Sequence, residues 1–115
     1  MKLYSVITIV RGWPSEESQK SGGTRTVIIC TTFENAEEVV LKNVGYIFET
    51  SYTYAVIVEF EADTLYGVGF EADKLYGGLS ASNKEVWYRW VGNSETGKYI
   101  PCDKPEEYKN TIFSF

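Results

Sequence analysis

Residues 60–79 hold one ten-residue unit written twice. Phe60-Glu61-Ala62-Asp63-Thr64-Leu65-Tyr66-Gly67-Val68-Gly69 is followed by Phe70-Glu71-Ala72-Asp73-Lys74-Leu75-Tyr76-Gly77-Gly78-Leu79, identical at seven of the ten paired positions. Solenoid repeats run to roughly 20–50 residues and need at least three copies, so this is a local duplication inside one domain. A close-packed interior rarely accepts ten extra residues, whereas a loop or hairpin end lengthens at a small cost in closure entropy. The duplication therefore predicts a projecting loop or hairpin at 60–79, with the fold built by what flanks it.

The flanks read as alternating strands and one helix. Residues 2–10 are rich in β-branched side chains on both faces, which suits an inner strand. Gly12 to Gly23 carries the breakers of a long hairpin loop, and Thr24-Arg25-Thr26-Val27-Ile28-Ile29-Cys30 reads as the returning strand. Thr32 is placed to cap a helix over 33–43, with Phe33, Ala36, Val39, Val40 and Val44 on its buried face and Gly45 as its stop. Tyr54 to Phe60 is a third, interior strand. Glu85-Val86-Trp87-Tyr88-Arg89-Trp90-Val91, the turn 92–97 and Lys98 to Pro101 form a second hairpin. Pro105-Glu106-Glu107 suits the start of a short helical turn ending near Asn110, and the apolar tail 111–115 should dock on the body. The expectation is a single α+β domain over 1–115, mainly an antiparallel sheet of about five strands with one main helix packed on it, in the order β-β-α-β-β-β.

At 115 residues the chain can bury roughly two thirds of its unfolded surface, enough for one core without staples. It carries a net charge of −5 and gathers no basic stretch, which argues against a nucleic-acid partner. It contains no His, which excludes Ser-His, Cys-His and His-metal chemistry. Cys30 and Cys102 form no Cys-x-x-Cys pair and read as free thiols of a reducing cytoplasm, ahead of a disulfide or a reactive nucleophile. No segment has the length of apolar residues that a membrane span needs, so no membrane partner is expected.

Aromatic residues make up 16% of the chain, and they carry the functional hints. In Trp87-Tyr88-Arg89-Trp90, alternate side chains share a face, so one pair can enter the core while the other stays available. Trp, Tyr and Arg are the residues enriched in binding hot spots. The competing reading gives both faces to packing. Trp13 in the first loop, and Tyr66 and Tyr76 in the duplicated unit, are further candidate contacts. So are Phe60, Leu65, Phe70 and Leu75, if the unit is a binding arm. Glu61, Asp63, Glu71 and Asp73 are hard oxygen ligands, but their spacing fits no EF-hand, and a solvated acidic arm is preferred to a metal site. Gly22-Gly23 with Arg25 lacks both phosphate-loop patterns. No nucleophile motif accompanies the carboxylates, so no catalytic residue, metal or cofactor is assigned.

One hairpin plus one helix resembles the plan of many short proteins of bacteria and their phages, though no diagnostic motif accompanies it. The favoured function is a non-enzymatic protein-interaction module, monomeric or dimeric, whose acidity suits a basic protein partner. A homodimer contact would be marked by an uncovered Phe113-Ser114-Phe115. The alternative is a small-ligand binder holding an anionic or planar compound between aromatic walls and Arg25 or Arg89. A carboxylate and divalent-metal hydrolase comes third.

Overall fold

The computed structural model describes residues 2–10, 23–61 and 84–109. The greater part of the duplicated unit, Trp13 and the tail 111–115 lie outside the described residues. Five strands form one antiparallel sheet: β1 (Lys2–Ile9), β2 (Thr24–Cys30), β3 (Tyr54–Glu61), β4 (Lys84–Val91) and β5 (Lys98–Cys102). The helix α1 (Phe33–Leu41) stands between β2 and β3 in the chain, and a 3-10 turn, Glu106–Tyr108, follows β5. This is the α+β order expected from the sequence.

Across the sheet the strands run β2-β1-β3-β4-β5. The first strand is an inner one, as its two apolar faces require. It pairs with β3 along its whole length, from Lys2 opposite Glu61 to Ile9 opposite Tyr54. Its pairing with β2 is interrupted between Val6 and Ile7, where Val27 is the extra residue of a bulge. Phe60, the first residue of the duplicated unit and the last of the third strand expected from the sequence, lies opposite Leu3 and is buried in the sheet.

Each face of the sheet has its own core. Val6, Ala55, Ile57, Tyr88 and Tyr99 meet Ala36 and Val40 of the helix on one side. Ile7, Ile9, Val56, Val58 and Trp87 pack on the other with Tyr108. Tyr108 comes from the 3-10 turn and lies nearly parallel to Trp87, with centroids 5.6 Å apart and 12° between planes.

The helix begins where the sequence places it. Thr32 has extended backbone, and its Oγ1 accepts a hydrogen bond from Asn35 N–H at 3.2 Å. Its end differs from expectation. Asn43 takes the left-handed conformation at φ 47°, its N–H donates to Val40 O, and Val44 N–H donates to Val39 O. This is the Schellman arrangement with Asn in the position glycine usually fills. The helix therefore stops at Leu41, ahead of Gly45, and Val44 is swung out of the helical register to become 49% exposed rather than buried.

Candidate functional site

Of the residues singled out from the sequence, Trp87 and Tyr88 are inside. Trp87 is covered by Tyr108, while Tyr88 lies under the helix and donates its hydroxyl to Glu37 Oε2 at 2.7 Å. Both faces of β4 are roofed, so alternation leaves neither of these rings available to a partner. Arg89 is exposed and Trp90 half-buried. Trp13, Tyr66 and Tyr76 lie outside the described residues.

The notable surface lies instead at the end of the sheet, where residues 43–53 connect helix to β3. Asn43, Tyr46, Glu49 and Thr50 all adopt left-handed backbone, with φ between 46° and 62°, and Gly45 joins them at 67°. An L-residue there is disfavoured by roughly 1–2 kcal/mol, and the β-branched Thr50 is an outlier of the kind that clusters at functional sites.

Three anchors hold this backbone in place. Asn43 Oδ1 accepts from Phe48 N–H at 3.0 Å and closes the first half of the loop. Arg25, reaching from β2, donates Nη2 to Ile47 O at 3.0 Å and Nε to Thr8 Oγ1 at 3.3 Å. Its Nη1 stands 2.9 Å from Glu49 Oε2, and its guanidinium lies over the Tyr52 ring, 4.4 Å from the centroid. The third anchor is aromatic. Phe48 stacks on Trp90 with centroids 3.9 Å apart and meets Tyr99 edge-on at 6.3 Å, while Tyr99 donates its hydroxyl to Tyr52 O. Burial raises the Tyr99 phenol above its ordinary value, an effect that nearby Arg25 partly opposes.

The β4–β5 turn is shaped to receive the loop. Trp90 Nε1 donates to Asn93 O, and Asn93 Oδ1 accepts from the N–H groups of Glu95 and Thr96. A methyl on Gly97 would stand 2.6 Å from Trp90 Nε1 and 2.5 Å from Asn93 O, so only glycine fits beside the indole. Tyr46 donates to Ser94 O and meets Phe48 edge-on, yet remains 42% exposed. The result is a supported ridge that holds Val44 and Tyr46 in solvent, with exposed Leu41 at the neighbouring helix end. The sequence reading missed this ridge. The available signal was the run of aromatics at 46, 48 and 52 in a stretch with no assigned element.

A concavity of about 210 Å³ lies between helix and sheet, lined by Tyr4, Phe33, Ile57, Glu59, Lys84 and Val86. Tyr4 donates to Glu59 Oε1 at 3.2 Å, and burial with this carboxylate pushes the phenol up. Among the described residues neither Trp nor Arg lines it, and its volume falls below the roughly 300–1,000 Å³ of typical ligand pockets.

Both cysteines are free, and burial raises both thiols, which makes poor nucleophiles of them. Cys30 is on one edge strand and Cys102 on the other. Four strand spacings, about 19 Å, separate the edges, far beyond disulfide reach. Among the described residues no three of Cys, Asp and Glu gather in a way that could hold a metal ion. No described helix is long and apolar enough to cross a membrane. Comparison with known proteins found no family model, no curated protein and no solved structure that matches the chain.

Proposed function

We propose that the chain is a non-enzymatic protein-interaction module whose contact surface is the ridge of Leu41, Val44 and Tyr46. The single observation that carries this reading is the loop itself: four non-glycine residues in left-handed backbone, anchored by Arg25 and the Phe48–Trp90 stack, hold apolar side chains out in water. Folding alone would favour turning Val44 and Tyr46 inward, and a surface held rigid in advance loses little entropy on binding. Glu95 is exposed next to Ser94, whose carbonyl Tyr46 contacts, and the chain carries net charge −5, which together favour a basic protein partner. The cytoplasm is the proposed compartment, in keeping with two free thiols.

The small-ligand alternative has less support. Arg25, the cation it would enlist, already donates to Thr8 and Ile47 and pairs with Glu49.

The test is capture on immobilised protein, comparing wild type with Val44→Asp and Tyr46→Asp. Basic proteins retained by the wild type, released by salt and lost from both variants are the expected result. An identical set on all three columns would remove the ridge as the contact surface.

A further inference from the structure

We infer that two copies of the chain associate through the outer edges of their β2 strands, forming one continuous ten-stranded antiparallel sheet. The two edges of the sheet are built differently. At β5 the strand Lys98-Tyr99-Ile100-Pro101-Cys102 has a charged Lys98 and a Pro101 that has no N–H to offer. These are two of the devices by which sheets keep their edges from pairing.

At β2 proline is missing, and the bulge at Val27 leaves Ile28, Ile29 and Cys30 in regular register with Val6, Ser5 and Tyr4. Thr24–Cys30 contains neither Pro nor Gly, and its five last residues are uncharged. Its one charge, Arg25, is drawn onto the helix-bearing face by Thr8, Ile47 and Glu49. Beside it Ile28 and Ile29 are 43% and 47% exposed, on opposite faces of the strand. Among the described residues no strand lies outside β2.

A second copy is the occupant this edge fits. An antiparallel partner related by a twofold axis normal to the sheet keeps both helices on the same side. It also sets the Ile28–Ile29 pair of one chain against that of the other, covering apolar surface on both faces. The guarded β5 edges at the two ends of the enlarged sheet then stop growth at two copies, where an open edge would lead to fibres. Two chains of charge −5 repel each other, so added salt tightens this association, whereas it loosens the grip of an acidic chain on a basic partner.

Sedimentation equilibrium on the purified full chain tests the proposal. The expected result is a monomer–dimer equilibrium that strengthens with salt, with a dissociation constant raised at least tenfold by Ile28→Lys and by Ile29→Lys and unchanged by Lys98→Ala. The melting temperatures of the variants, measured at low concentration, show whether each still folds. Amide exchange on the wild type needs no variant: the β2 amides should gain protection as concentration rises. A chain that stays monomeric to millimolar concentration overturns the proposal. So does a dimer that persists in both lysine variants, or concentration-independent exchange along β2.

Discussion

Arg25 Nη1 stands 2.9 Å from Glu49 Oε2, and the same guanidinium also reaches Thr8, the Ile47 carbonyl and the Tyr52 ring. The Arg25 and Glu49 side chains are both partly in solvent, where such an ion pair contributes about 0–1 kcal/mol. The hydrogen bond to the Ile47 carbonyl and the cover over Tyr52 tie the loop to β2 far more firmly. Glu49→Gln should therefore lower stability by less than about 0.5 kcal/mol, and Arg25→Ala by about 1.5–3 kcal/mol. Arg25→Lys should recover little, because an ammonium can neither fork between carbonyl and carboxylate nor stack flat on a ring. Urea titration of the three variants checks the order.

Strain at Thr50 is the subject of a second expectation. Its φ of 62° suits glycine, and the residue is exposed, so little packing is lost with its side chain. Thr50→Gly should raise stability by about 0.5–1 kcal/mol, the left-handed penalty less the added freedom of the unfolded chain. A fall in the melting temperature would show that the backbone there is not held against its preference.

Gly97→Ala should act in the opposite direction. The new methyl would press on Asn93 O and the Trp90 indole, both of which sit in a tight turn. Overpacking of this kind costs about 1–3 kcal/mol, and the displaced indole should shift the Trp fluorescence.

Burial decides the alkaline limit of stability. Tyr108 is pushed up to about 12, first by burial and then by Glu107 and Tyr54, and burial likewise raises Tyr88 and Tyr99. Unfolded tyrosines titrate near 10, so above that pH the unfolded chain loses protons that the folded chain keeps. The stabilisation is whole below about pH 10 and declines as pH rises toward 12. Unfolding free energies between pH 9 and 11.5 should show this slope, and Tyr108→Phe should flatten it.

Trp87→Ala should be among the most damaging single changes, at about 3–5 kcal/mol, because the ring is buried and lies against Tyr108. Urea melts compare it with Arg89→Ala, an exposed neighbour expected to cost less than about 0.5 kcal/mol.

The strands were legible because β-branched runs such as Val6-Ile7-Thr8-Ile9 and Ala55-Val56-Ile57-Val58 leave few alternatives, and Thr32 announced the helix by a local hydrogen bond. The helix end was misplaced because the left-handed turn fell on Asn43, where Gly45 two residues later looked the better candidate. Alternation along β4 correctly split Trp87 from Tyr88, but it could not say that a turn far along the chain covers one face while the helix covers the other. The ridge was illegible for a different reason. Positive φ at Tyr46, Glu49 and Thr50 accompanies contacts of this loop with the distant Arg25 and Trp90, and residue type alone gives no sign of it.

The opening strand of the chain ends up between two neighbours of very different origin: β2 follows it closely, whereas β3 arrives after the helix, with Lys2 opposite Glu61. During synthesis β1 thus waits with one flank bare while the ribosome delivers the residues that will close it. That late, distant closure should set the pace of folding and mark the interval in which chaperones matter most.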